Sequence, residues 1–88
     1  MRRGYRITGR VQGVGFRWWS RKTASGLGLA GTVRNRMDGS VEVHAEGPDK
    51  SMERFAQQLR DGPASARVQE VEEIQSSGTL PEEFRILR

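Results

Sequence analysis

Apolar and polar residues alternate from Arg3 to Val11, with Tyr5, Ile7 and Val11 on one side and Arg6, Thr8 and Arg10 on the other. A period of two reads as a half-buried strand. From Phe16 to about Ser25 the period lengthens: Phe16, Trp19, Ser20, Thr23, Ala24 and Leu27 fall at helical spacing until Gly26 and Gly28 stop the run. Trp18 lies about a quarter-turn off that stripe and is expected to give partial cover at the helix start. Leu29 to Arg36 reads as a second strand, closed by Met37-Asp38-Gly39-Ser40, whose Asp-Gly pair signals a hairpin. The returning strand, Ser40 to Gly47, turns Val41, Val43 and Ala45 inward and Glu42, His44 and Glu46 outward. His44 is therefore expected at the surface, with no ligand-type partner.

Gly47-Pro48-Asp49 opens a second helix with Asp49 as its expected cap, Met52, Phe55, Ala56 and Leu59 as its buried stripe, and Gly62-Pro63 as its end. Val68, Val71 and Ile74 recur every third residue, which fits neither period, so an irregular fourth strand is expected within Arg67 to Ser76. Glu70, Glu72 and Glu73 mark it as a sheet edge kept soluble by charge. After a loop from Ser76 to Pro81, Phe84 to Leu87 adds a short final strand. The order strand, helix, strand, strand, helix, strand predicts an α+β fold: a ferredoxin-like split βαββαβ sandwich. Its antiparallel sheet carries two helices on one face, with the first and third strands central, and a short extra C-terminal strand completes it.

Composition narrows the class. Eighty-eight residues, 34% hydrophobic and 30% charged, make one small soluble domain spanning 1–88. No cysteine is present, so disulfides, thiolate metal sites and a cysteine nucleophile are excluded, and neither a metal nor a cofactor is expected. No apolar run is long enough to cross a bilayer, and no apolar signal core follows Met1-Arg2-Arg3, so the expected compartment is the cytoplasm. Charge is asymmetric: Met1 to His44 carries nine basic against two acidic residues, and Ala45 to Arg88 carries six against nine. A positive half concentrates small anions, and it also suits nucleic acid.

The candidate chemistry lies in that half, in Gly9-Arg10-Val11-Gln12-Gly13-Val14-Gly15-Phe16-Arg17. This stretch joins a strand to a helix, and Gly13 and Gly15 leave the loop's N–H groups bare toward a visitor. Such turns converge amides into an anion-binding concavity, and the helix N-terminus adds partial positive charge. Arg17 contributes a planar fork of donors suited to two phosphate oxygens. The dinucleotide fingerprint fails, because Trp18 replaces its third glycine, and no Gly-Lys-Ser/Thr of a nucleotide P-loop is present. Val11 to Arg17 has the spacing of the cradle in cysteine-dependent phosphatases, but valine stands at the nucleophile position, which rules out a covalent phosphoenzyme there.

The nine-residue string closely resembles the signature of the acylphosphatase family. Gly28-Leu29-Ala30-Gly31-Thr32-Val33-Arg34-Asn35-Arg36, followed by Asp38-Gly39-Ser40-Val41-Glu42, is similar to that family's second signature. One departure is Thr32, where the family usually has an aromatic residue, which bears on a packing contact beside the site. The resemblance implies hydrolysis of a small-molecule acyl phosphate to a carboxylate and inorganic phosphate, by a monomer without membrane or nucleic-acid partners. It implies phosphate binding by Gln12, Gly13, Val14, Gly15, Phe16 and Arg17, with Arg17 and Asn35 catalytic. Asn35 would orient the attacking water; a carboxamide offers a donor and an acceptor but cannot act as a base. The alternative is a non-catalytic module that binds phosphate or nucleic acid on the same fold. An RNA-binding sheet should display paired aromatics, yet the first strand offers only Tyr5 and the third offers none.

Overall fold

Five strands order as β4-β1-β3-β2-β5 in one sheet. They are β1 (Arg2–Arg10), β2 (Ala30–Asn35), β3 (Val41–Glu46), β4 (Arg67–Ile74) and β5 (Phe84–Ile86), with α1 (Phe16–Gly26) and α2 (Asp49–Asp61) between them. This computed structural model describes all 88 residues. β1 pairs antiparallel with β3 and β4, and β2 with β3, so β1 and β3 occupy the centre of the four-stranded unit as expected. β5 is the exception to an antiparallel sheet, since it runs parallel to β2. β4 lies at one edge and β5 at the other, so the chain must traverse the sheet between them.

That crossing explains a second departure. Ser76 to Gly78 pass over the polar face, where the Arg2 guanidinium donates to Ser76 Oγ at 2.9 Å and to Ser77 O at 2.7 Å. His44, expected at the surface, is half-buried beneath them, with Nδ1 2.7 Å from Ser76 Oγ and Nε2 2.8 Å from Glu42. Burial pushes the Glu42 carboxyl up, but hydrogen bonds from His44 and Arg36 outweigh it and hold the group below its ordinary value.

On the opposite face α1 lies over β2 and β5, and α2 lies over β4. Ile7, Val33, Val41 and Val43 point from the sheet into this layer and are fully buried, as are Phe55 and Leu59 from α2. Each such side chain contributes about 1.5–3 kcal/mol. Asp49 is the first helical residue of α2 rather than its cap; Pro48 holds the cap position in extended backbone, and no side chain bonds there. Proline has no N–H, and the Asp49 carboxylate still complements the helix dipole.

Within α1, Ser20 is fully buried and its Oγ has no hydrogen-bond partner. An unsatisfied buried hydroxyl is costly, and alanine is the better helix former. Ser20→Ala is therefore expected to raise stability by about 0.5–1 kcal/mol, read as an increase of several degrees in Tm.

At the β2–β3 turn, the Asp38 carboxylate accepts from Ser40 Oγ at 2.6 Å, from Ser40 N–H at 2.9 Å and from Arg6 at 2.9 Å. The Ser40 bonds and then the Arg6 guanidinium hold Asp38 well below the usual carboxylate range. A folded-state pKa below the unfolded one gives stability that is present at neutral pH and is lost as pH falls through the acid range. Asp38→Ala should thus lower Tm at pH 7, and the gap from wild type should close as pH is lowered toward 2.

Candidate active site

The loop between β1 and α1 is anchored at both ends by buried apolar side chains, Val11 before it and Phe16 after it. Phe16 packs against Trp19 with ring centroids 5.3 Å apart. Two polar ties fix the loop between these anchors. Gln12 Nε2 donates to Arg36 O at 2.7 Å and to Ser40 O at 2.8 Å, and Ser65 Oγ donates to Val14 O at 2.7 Å. The Gln12 side chain therefore belongs to the framework, fastening the loop to the hairpin that follows Asn35.

Gly13 and Gly15 have φ of 74° and 77°, and no non-glycine residue has positive φ, so the sign alternates from Gln12 to Gly15. This alternation turns successive N–H groups to one side. A Cβ added at either glycine would meet nothing within 4 Å, so the left-handed backbone, not crowding, demands glycine there.

The start of α1 is left open. Gly15 is its N-cap and supplies no side-chain bond, and the first turn holds no acidic residue. The first helical hydrogen bond runs from Trp19 N–H to Gly15 O at 3.0 Å, so the preceding amides have no intrahelical acceptor. A serine or aspartate cap would occupy these donors.

Asn35 ends β2 in register with Val41, on the same face as Val33 and the helices. Its Oδ1 is buried and has no partner in the protein. An acceptor in that state carries a penalty of about 1–3 kcal/mol that a hydrogen bond from water would remove. Thr32, by strand alternation, faces the opposite side with His44, so the departure from the usual aromatic does not touch the site.

A cavity of about 290 Å³ gathers Gly13, Gly15, Phe16, Arg17 and Asn35 at one end of the sheet. Gln12 and Val14 contribute backbone to the loop, while their side chains lie outside this lining. Trp18 is 54% exposed and stands at the rim, more open than the partial cover expected of it, with Lys22 Nζ 5.1 Å from its ring centroid. Ile86 and Arg88 also line the space. Sequence reading missed both, because only the parallel pairing of β5 with β2 brings them into the cavity. A larger cleft of about 530 Å³ opens on the polar face, between Arg10, Arg67 and Asp38. It contains neither the glycine pair nor Asn35, so we place the site in the smaller cavity.

A family model described as Acylphosphatase matches residues 3–86. A protein of Mesorhizobium japonicum named acylphosphatase is 51% identical over 84 residues, covering 93% of this chain and 88% of the relative. One from Koribacter versatilis, with the same name, is 51% identical over 85 residues, covering 96% and 77% respectively. The crystal structure of acylphosphatase from Bacillus subtilis superposes with a TM-score of 0.87 at 36% identity, covering 99% of this chain and 98% of that one. With the family model spanning nearly the whole chain and half of all positions shared with full-length relatives, this protein belongs to the acylphosphatase family.

Proposed function

We propose that this chain hydrolyses acyl phosphates, the mixed anhydrides of a carboxylic and a phosphoric acid, by direct attack of water on phosphorus. The observation that carries the reading is that Gly13, Gly15, Phe16, Arg17 and Asn35 line one cavity sized for a small molecule. The amides from Gln12 to Phe16 and the Arg17 fork hold the phosphoryl oxygens and stabilise the charge that develops on them. Because Val11, Phe16, Gln12 and Ser65 already fix the loop, little reorganisation accompanies binding. Asn35 orients the water. A carboxylate is a good leaving group, and a phosphoryl oxygen of the substrate accepts the water's proton, so no general base is required of the protein.

On this reading the products are a carboxylate and inorganic phosphate, and the enzyme works as a cytoplasmic monomer without a cofactor. The test is turnover of benzoyl phosphate, followed by its ultraviolet absorbance. Loss of the anhydride signal with stoichiometric release of phosphate is the expected result. Absence of hydrolysis, together with oligonucleotide binding that weakens steeply with salt, would instead favour a nucleic-acid-binding module.

A further inference from the structure

The parallel ladder between β2 and β5 pairs Gly31 with Phe84 and Val33 with Ile86, and Leu87 N–H extends it by donating to Val33 O at 2.8 Å. Two residues further, the same register sets Arg88 beside Asn35. The strand period of two turns both toward the helices. Arg88 accordingly lines the same cavity of about 290 Å³ as Asn35 and Arg17. Arg17 enters from the first turn of α1, whereas Arg88 enters from the sheet edge.

Arg3, Arg6 and Arg36 are tied to carboxylates, those of Glu73, Asp38 and Glu42, whereas the strand residues Arg2, Arg10, Arg34, Arg67 and Arg85 form no ion pair, so it is the shared cavity that sets Arg17 and Arg88 apart. Arg17 and Arg88 take part in none of the ion pairs of the structure, and no acidic side chain lines their cavity. A dianion in this cavity would be attracted by both guanidinium groups. Asn35 and Arg88 line one cavity, so a cation on Arg88 would adjoin both the water assigned to Asn35 and the phosphoryl group it attacks.

We infer that the Arg88 guanidinium binds the transferring phosphoryl group together with Arg17, covering oxygens that Arg17 and the loop amides leave open. The inference rests on the hydrolase reading of this cavity and adds a second phosphoryl-binding cation to it. Positive charge at that position stabilises the oxygens as negative charge spreads over them in the transition state.

The test compares Arg88→Gln, Arg88→Lys and Arg88→Ala with wild type. Three quantities are read: kcat on acetyl phosphate, the Kd of inorganic phosphate by calorimetry, and Tm. In Arg88→Gln, kcat is expected to fall about tenfold and phosphate to bind about tenfold more weakly, the loss of one charge-assisted hydrogen bond at a solvated rim. Arg88→Lys should lie between, because it keeps the charge without the fork. Millimolar guanidinium should restore part of the turnover of Arg88→Ala, a recovery that a structural role would not give.

Wild-type kcat and phosphate affinity in Arg88→Gln would overturn the inference. So would losses that accompany a lowered Tm and resist guanidinium, or a loss confined to substrates whose acyl chain carries its own carboxylate. Phosphate binding separates this inference from the hydrolase reading. If wild type hydrolysed nothing while Arg88→Gln still weakened phosphate binding, phosphate binding by Arg88 would stand and the hydrolase reading would fall. An active wild type with a neutral Arg88→Gln would give the reverse.

Discussion

Replacing Arg17 by alanine is expected to reduce kcat/KM for an acyl phosphate by about 10²–10⁴. Two charge-assisted hydrogen bonds to the phosphoryl group are lost, each worth about 1.5–3 kcal/mol, and each 1.36 kcal/mol is a factor of ten. Both KM and kcat should suffer, because on the proposed reading the fork would grip the phosphate in the ground state and hold its oxygens more strongly as charge builds on them. Arg17→Lys should not recover the activity, since a single ammonium cannot reproduce two parallel donors at fixed spacing. The fold should survive both changes: Arg17 forms no ion pair, and the loop is anchored through Val11 and Phe16 instead. Steady-state kinetics with a thermal melt on the same preparations checks this. Unaltered kcat/KM in Arg17→Ala would remove Arg17 from the site.

Asn35→Ala should behave differently, and the contrast carries more information than either variant alone. Its carboxamide is assigned to the water, so kcat should fall by about 10²–10³, the range found when one positioned amide donor is removed from an active site. KM and competitive inhibition by phosphate should change little, because the loop amides and Arg17 are untouched. Removing a buried, unpartnered Oδ1 should also leave Tm level or slightly raised. A variant that lost phosphate affinity as steeply as turnover would place Asn35 on the phosphate and leave the water without an orienting group.

The local features of this site were legible in the sequence. The left-handed backbone at Gly13 and Gly15 is a property of those residues and their neighbours, and the break from period two to helical spacing located the loop between Arg10 and Phe16. Alternation along β3 assigned its inward face correctly, with Val41, Val43 and Ala45 buried, whereas the inward position of Asn35 on β2 emerged only from its pairing with Val41. Features set by chain crossing were not legible. His44 reads as an outward residue on its own strand, and only the passage of Ser76 to Gly78 across that face encloses it. The direction of β5 follows from the edge at which that passage ends, and so does the arrival of Ile86 and Arg88 beside Asn35. Gln12 illustrates a third case. Its place in the loop was evident, but its side chain serves the hairpin carbonyls of Arg36 and Ser40 rather than the cavity. Such a tie depends on the distance between two elements that no local pattern encodes.

On the proposed mechanism the loop and Arg17 hold phosphorus in place while Asn35 directs a water at it, and every other role proposed for the site depends on that division of labour. Hydrolysis of acetyl phosphate in ¹⁸O-enriched water tests this most directly, with the label located in both products by mass spectrometry. Attack at phosphorus with cleavage of the phosphorus–oxygen bond puts one ¹⁸O into inorganic phosphate and none into acetate, which is the expected result. Label in the acetate would mean that water attacks the carbonyl carbon, and neither the glycine loop nor Asn35 would then have the role assigned to it.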